Sequence, residues 1–509
     1  MCDGGCAPDE SSGPLLDGPD SFIQTGMVET GENKMYELTI NLEPGSKTPL
    51  YEQIYDYIKQ EIQNGRIQSG DRLPSTRALC RHLEVSRSTV ELAYEQLLSE
   101  GYVDAVPCRG YFVAQLDGLC QIDRHADGVT ESQHSVPGRK YTYDFTPSGV
   151  DLKSFPYNTW RKLSKDCLSD DRAELFRLGD PQGEYGLRRA ICDYLHQARG
   201  VNCRPEQVIV GAGSDYLLML LILIIGNSRR VAMENPTYTQ AYRLFESMCC
   251  KICTVDMDKK GMTVDRLTAS GADIAFVMPS HQYPLGIVMP IRRRMDLLKW
   301  AYEKEERYII EDDYDSEFRY KGKPIPALQG YDSKGKVIYK GTFSKSIAPA
   351  IRLGYLVLPE PLLEEYRRKC LYLSSTVSRV DQLILQKFIE EGFFERHLNK
   401  TRALYKSRHD TLLGCLKEMD VEFDIFGENA GVHLLLRFAQ GYSEEELMRQ
   451  ASHEGVRVYG LSEYYVEESR KKEGQGAVIL LGYANMGEDK IREAVKLLEK
   501  AWKQNNSEK

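Results

Sequence analysis

A lysine after a serine means little by itself. In the run Gly341-Thr342-Phe343-Ser344-Lys345, however, it is followed seven residues later by Arg352, in Ile351-Arg352-Leu353-Gly354-Tyr355. A positioned primary amine condenses with a carbonyl to form an imine. The hydroxyls of Thr342 and Ser344 and the guanidinium of Arg352 are donors suited to a dianionic phosphate. Upstream, Gly211-Ala212-Gly213-Ser214-Asp215-Tyr216 joins a strand-like run to the apolar run 217–225. A glycine-rich turn into a helix N-terminus presents backbone N–H groups to a phosphate, here from Gly213 and Ser214. Glycines at such a place also serve simply to turn the chain. A further run, Ile310-Glu311-Asp312-Asp313-Tyr314-Asp315-Ser316-Glu317-Phe318, crowds carboxylates at the end of a strand. Alternation along that strand sends Glu311 and Asp313 to the face opposite Asp312.

A second set of reactive types lies near the N-terminus, in Val85-Ser86-Arg87-Ser88-Thr89-Val90. Ser86 is a good N-cap, and the helix it starts offers free N–H groups and a positive dipole end to a phosphate. Arg87, Ser88 and Thr89 fall on the first turn, where a recognition helix reaches base edges in the major groove. Arginine bonds guanine bidentately, and serine and threonine bond bases or backbone. The plainer alternative is that Arg77 and Arg87 only solvate helix ends.

These residues need elements to hold them. From Pro49, Tyr51, Ile54, Tyr55, Ile58 and Ile62 recur at spacings of three and four, one helical stripe. Gly65 and Gly70 break the chain, Pro74-Ser75-Thr76 opens a second helix, and a third runs from about Arg87 to Glu100. Gly101-Tyr102-Val103 and Gly110-Tyr111-Phe112-Val113 are β-prone. Three helices and a hairpin describe a winged helix-turn-helix over 36–114. Residues 1–35 have no period and read as a disordered leader, with Met35 an alternative start to Met1. Residues 115–142 are polar and aperiodic, an expected linker. Over 143–509, strand-like and helix-like runs alternate, which implies an α/β fold with a mainly parallel sheet covered by helices on both faces. The last part, about 360–509, suits a smaller α+β subdomain.

The chain has 509 residues, room for two or three domains at about 100–200 residues each. An apolar share of 42% excludes wholesale disorder. Thirteen scattered cysteines fit reduced thiols better than a disulfide scaffold. The apolar run 217–225 is about half of what a membrane span requires, and no apolar signal segment is read at the start. A cytoplasmic protein is expected, with no membrane partner. A net charge of −9 argues against indiscriminate coating of nucleic acid, though not against a local basic face.

The head resembles the GntR family of winged-helix regulators. The matching residues are Leu73-Pro74-Ser75-Thr76-Arg77, Val85 to Val90, Tyr94, Leu97, Gly101 and Arg109-Gly110-Tyr111. The resemblance implies operator DNA contacts at Arg77, Arg87 and Gly110, with Ser86, Ser88 and Thr89 beside them. The remainder resembles the fold-type I aminotransferases, which bind pyridoxal 5′-phosphate (PLP). That resemblance implies an imine on Lys345 as the catalytic group and phosphate contacts from Thr342, Ser344, Arg352, Gly213 and Ser214. It also implies Asp312 at the pyridinium nitrogen, Tyr314 at the phenolic oxygen and Tyr238 of Glu234-Asn235-Pro236-Thr237-Tyr238 stacked on the ring. Pro279-Ser280-His281-Gln282-Tyr283-Pro284-Leu285-Gly286, with His281, matches the loop at the ring face. No metal site is assigned.

Joined in one chain, the two modules resemble the MocR/GabR subfamily, which implies a head-to-tail homodimer that senses PLP or an amine effector. Two positions depart from relatives. Gln240 stands where one member has an arginine, and Leu480 stands where aminotransferases hold a carboxylate with one. Arg243 and Arg437 are the nearby cations that could substitute. The imine parts serve a regulator and an aminotransferase alike. The winged helix and the absent clamp favour a regulator with little turnover.

Overall fold

The N-terminal stripe forms helix α1 (Leu50–Gln63), which buries Ile54, Tyr55, Ile58 and Ile62. Helix α2 (Thr76–His82) starts where the Ser75 side chain accepts the Ala78 N–H. Helix α3 (Arg87–Ser99) starts at Ser86, whose Oγ accepts the Thr89 N–H at 3.2 Å. Each cap satisfies a backbone donor that the first turn leaves without an intrahelical partner. The Tyr94 hydroxyl donates to the Pro74 carbonyl at 2.8 Å and ties α3 to the entry of α2. Strands β1 (Val103–Val106) and β2 (Gly110–Val113) pair antiparallel, with Val103 opposite Val113. One apolar core, including Ile54, Ile58, Leu79, Val90, Tyr94 and Leu97, unites these pieces.

The computed structural model describes residues 38, 40–115, 141–168, 173–320, 322, 325–466 and 476–503. It comprises two compact units, Met1–Val136 and Pro137–Lys509. The expected leader at 1–35, nearly all of the linker at 115–142 and the choice of start lie outside the described residues.

In the second unit, β3 (Tyr143–Asp144) precedes the main sheet. The sheet's strands are β4 (Val208–Gly211), β5 (Arg230–Asn235), β6 (Lys251–Asp258), β7 (Gly261–Met262), β8 (Ile274–Val277), β9 (Tyr308–Asp313), β10 (Val337–Thr342) and β11 (Gly354–Val357). Their order is β4-β11-β10-β9-β8-β5-β6-β7. The central pairs from β10 to β6 are parallel, while β11 runs antiparallel to both its neighbours and β7 folds back on β6. The sheet is therefore mixed at its edges and parallel at its centre. Strands β8, β9 and β10 are buried along their whole length, as helices on both faces require. The apolar helix Gly213–Ile225 packs with Ile209, Ile310, Ile338 and Leu356 on one side. Trp300 and Leu297 of the helix Ile291–Tyr302 pack with Ala275 and Ile309 on the other.

A smaller antiparallel sheet joins β12 (Phe423–Phe426), β13 (His433–Phe438), β15 (Tyr459–Gly460) and β16 (Val478–Gly482), in the order β12-β13-β16-β15. Strand β14 (Val456–Arg457) pairs parallel with β3. The core of this lobe takes Tyr405, Leu412, Leu498 and Trp502 together with Phe145 from the start of the unit. Helices Glu360–Cys370 and Arg379–Glu390 instead bury Leu363, Tyr366, Leu385 and Phe388 in the cores of the large sheet. The smaller lobe's own core therefore begins within the helix Phe393–Glu418, later than the expected 360. No described helix is long and apolar enough to cross a membrane.

Candidate cofactor pocket and nucleic-acid interface

The C-terminal ends of β9 and β10 and the N-terminus of helix Gly213–Ile225 enclose a cavity of about 270 Å³. Ligand sites in open α/β sheets lie at such strand ends. Lining it are Ser214, Tyr238, Asp312, Tyr314, Thr342, Ser344, Lys345 and Arg352, the residues singled out above. They come from separate stretches of sequence and meet only in the fold. Burial draws the Lys345 ammonium from its ordinary 10.5 down to about 8, opposed by the charge of Asp315.

Around the helix N-terminus the arrangement suits an anion. The helix cap, Ala212, contributes no side-chain hydrogen bond. The Arg352 guanidinium reaches over this turn to Asp215, 2.9 Å away. Gly213 has φ +85°, and a Cβ there would stand 2.8 Å from Arg352 Cζ, so the close approach needs glycine. Arg352 itself has φ 48°, a left-handed conformation costly for a side chain of this size. The Thr342 hydroxyl accepts the Ser344 N–H at 3.1 Å, which fixes the two hydroxyl-bearing residues on one tight turn.

The carboxylates of β9 divide as alternation requires. Glu311 accepts the Leu328 and Gln329 N–H groups at 2.7 and 2.9 Å, and Asp313 pairs with the buried Arg199 at 2.9 Å. Asp312 faces the cavity, where its Oδ1 accepts from Lys340 Nζ at 2.7 Å. Burial and the surrounding carboxylates hold the Tyr314 phenol neutral, well above its ordinary range.

His281 departs from expectation: it does not line the cavity. It sits behind Tyr314, with Nδ1 3.0 Å from the Tyr314 hydroxyl and 2.9 Å from Asp315 Oδ2. A side chain with these two partners orients Tyr314 rather than reaching a ligand. Tyr283, from the same loop, is the residue that does line the cavity.

The candidate carboxylate clamps are absent from the cavity. Leu480 is fully buried with Leu435, Leu461 and Val478. Gln240 does line the cavity, as an uncharged amide that accepts a hydrogen bond from the Tyr238 hydroxyl. Arg437 lies over the Phe426 ring, 4.4 Å from its centroid, and Arg243 is exposed; neither lines the cavity. Among the described lining residues the cations are Lys340, Lys345 and Arg352.

Sequence reasoning missed Lys340 and Asp215. The signal for Lys340 was present: a lysine inside the otherwise apolar run Val337-Ile338-Tyr339-Lys340 needs a buried partner. Parallel register puts it beside Asp312 on the neighbouring strand.

In the first unit, Arg77, Ser86, Arg87 and Ser88 are exposed and Thr89 is half-buried. Ser86 Oγ lies 2.9 Å from Ser88 Oγ and 2.7 Å from Thr89 Oγ1. Arg87 Nε donates to Glu91 at 2.7 Å along an open helix face. Gly110 has φ +111° at the start of β2, and a Cβ there would meet the Arg72 guanidinium at 3.3 Å. Arg72, half-buried between the helices and the hairpin, is a cation that the sequence reading did not single out.

Two family models match, "Bacterial regulatory proteins, gntR family" over 50–113 and "Aminotransferase class I and II" over 150–498. The chain is 40% identical over 471 residues to the uncharacterized HTH-type transcriptional regulator YhdI of Bacillus subtilis, covering 92% of this chain and 98% of that protein. It is 32% identical over 478 residues to the probable rhizopine catabolism regulatory protein MocR of Rhizobium meliloti, covering 91% and 95%. Among solved structures, the multiple substrate aminotransferase of Thermococcus profundus superposes with a TM-score of 0.64 at 26% identity, covering 75% of this chain and 96% of that one. A kynurenine aminotransferase of Pyrococcus horikoshii superposes with a TM-score of 0.63 at 24% identity, covering 72% and 92%, and speaks for the fold alone. With a capped recognition helix in one unit and an amine-bearing cavity in the other, the chain belongs to the MocR-type family of HTH regulators, in which a gntR-family head is fused to an aminotransferase-like body.

Proposed function

We propose that this chain is a DNA-binding transcriptional regulator whose aminotransferase-like unit holds PLP and senses it, or an amine that reacts with it. The observation that carries this reading is the convergence of Lys345, Asp312, Tyr314 and Arg352 on one cavity in a chain that also exposes Arg87 on a capped helix. When bound, PLP supplies an aldehyde for imine chemistry and a ring that withdraws electrons. Lys345 supplies the amine. Arg352, Thr342, Ser344 and the N–H groups of Gly213 and Ser214 would hold the phosphate, Tyr238 would hold the ring and Asp312 would serve its nitrogen. Tyr314, oriented by His281 and kept neutral, would donate a hydrogen bond toward the phenolic oxygen.

In the head, Arg87 reads a base or binds a phosphate of the operator, and Arg77, Ser86, Ser88, Thr89 and Gly110 secure the backbone around it. The Arg87–Glu91 pair is exposed and worth only a few tenths of a kcal/mol, so DNA displaces it cheaply. The working form is a cytoplasmic head-to-tail homodimer that reads two half-sites. Phe176, Leu178 and Tyr185 on the second unit, 75%, 87% and 54% exposed, are apolar surface that a second copy would cover.

Mobility-shift titration against the DNA upstream of its own gene tests the regulator reading. Specific binding is expected, and Arg87→Ala should weaken it by about 1–3 kcal/mol, or about 5–150-fold. Equal affinity for unrelated DNA would contradict the proposal.

The cavity favours PLP alone, or an amine lacking a carboxylate, over a common amino acid. Lys340 is bound to Asp312, Lys345 is the imine amine, and Arg352 serves the phosphate, so no free cation lines the cavity among the described residues. An amino acid forgoes a charge-assisted contact of roughly 1.5–3 kcal/mol, about 10–150-fold in affinity. Titrating the loaded protein with alanine, glutamate and γ-aminobutyrate should give only weak changes in the visible spectrum. A saturable change at micromolar concentration, or turnover with a keto acid, would favour the aminotransferase reading.

A further inference from the structure

Strand β10 is buried on both faces, yet it carries Lys340, 1% exposed. A buried ammonium persists only with a compensating partner. Its partner is Asp312, 4% exposed, at 2.7 Å across the parallel β9–β10 register. Both residues line the cavity. Among the described lining residues no other cation takes this part: Arg352 pairs with Asp215, and Lys345 is the cavity's amine. Tyr238 and Tyr314 are held neutral chiefly by burial, so neither phenol adds a charge beside Asp312. The charge facing a ligand at Asp312 is thus a neutral ion pair rather than a lone anion.

We infer that Lys340 is a positioning residue that, through its ion pair with Asp312, leaves the ring nitrogen of bound PLP without a proton. This deepens the cofactor reading and rests on it. A lone buried carboxylate stabilises a ring N–H⁺ by direct charge attraction, and an ammonium on the same carboxylate offsets that attraction at close range. The ring nitrogen then keeps its lone pair, and the proton it would have taken stays with solvent. An unprotonated ring withdraws electrons less strongly. The cavity retains its capacity to bind through Lys345 while its capacity to loosen a Cα–H bond falls. That is a division useful to a sensor: occupancy is reported and the ligand is not consumed.

The experiment is ¹⁵N NMR of the full-length protein loaded with PLP labelled at the ring nitrogen. Loading is established first by borohydride reduction and peptide mapping of Lys345. Wild type should show the resonance position of an unprotonated pyridine. Lys340→Met should move it upfield by the large step that pyridines show on protonation, and Lys340→Arg, which keeps the charge, should leave it at the wild-type position. A protonated ring in the wild type overturns the inference even if Lys340→Met does not fold, as does an unchanged resonance in a folded Lys340→Met protein. A wild-type protein with no reduced adduct on Lys345 overturns the cofactor reading itself, and this inference with it.

Discussion

Lys345→Ala is expected to abolish covalent capture of PLP while leaving both units folded. The wild-type protein should turn yellow on incubation with PLP and, after borohydride reduction, carry the cofactor mass on the peptide containing Lys345. The variant should do neither. The effect is all-or-none because, among the described lining residues, Lys345 is the amine not committed to a carboxylate. Its unfolding midpoint should not fall, since burial penalises the ammonium in the folded state and alanine removes that cost. The same burial sets a pH dependence. Only the neutral amine attacks a carbonyl, and the Lys345 pKa lies at about 8. At pH 7.5 roughly a quarter of the molecules hold it neutral, against about one in a thousand for an ordinary lysine. Capture should therefore quicken as pH rises through about 8 and level off above it. A mapped adduct on another lysine would contradict the assignment.

Asp312→Ala carries the largest expected stability effect in the cavity. It leaves the Lys340 ammonium buried without its carboxylate, and breaking one side of a buried pair costs about 3–5 kcal/mol. Replacing both residues, as Asp312→Leu with Lys340→Met, should recover most of that loss, because an apolar pair of similar volume is often neutral or stabilising. Denaturant titration of wild type, Asp312→Ala and the double variant measures the loss and its recovery. An Asp312→Ala protein as stable as wild type would mean that Lys340 reaches solvent or another partner.

Much of this was legible in the sequence. The stripe at 51–62, the helix opening at Pro74-Ser75-Thr76, the cap at Ser86 and the strand runs at 208, 231, 274, 308 and 337 follow from period and capping chemistry, which are local. Part of the cavity lining was legible because Lys345 and Arg352 stand close in sequence, whereas Asp312, Tyr314 and Tyr238 were expected from the family resemblance. What escaped depends on contacts across the fold. That His281 backs Tyr314 instead of facing the cavity follows from Asp315, which no spacing rule supplies. Where the smaller lobe's own core begins is not legible, because amphipathic helices such as Arg379–Glu390 do not announce which sheet they cover. Lys340 was passed over because lysine usually marks a solvated position, and only the β9–β10 register shows its partner.

The central claim is that a DNA reader and a PLP sensor work together in one chain, and a single binding measurement tests it most directly. Affinity for the DNA upstream of the gene is measured for the wild-type protein with and without bound PLP, and for Lys345→Ala in excess PLP. The expected result is specific binding by every form, with an affinity that changes when PLP loads the wild type and stays at the unloaded value in Lys345→Ala. Specific binding that ignores PLP in the wild type, or no preference for that DNA over random sequence, would contradict it.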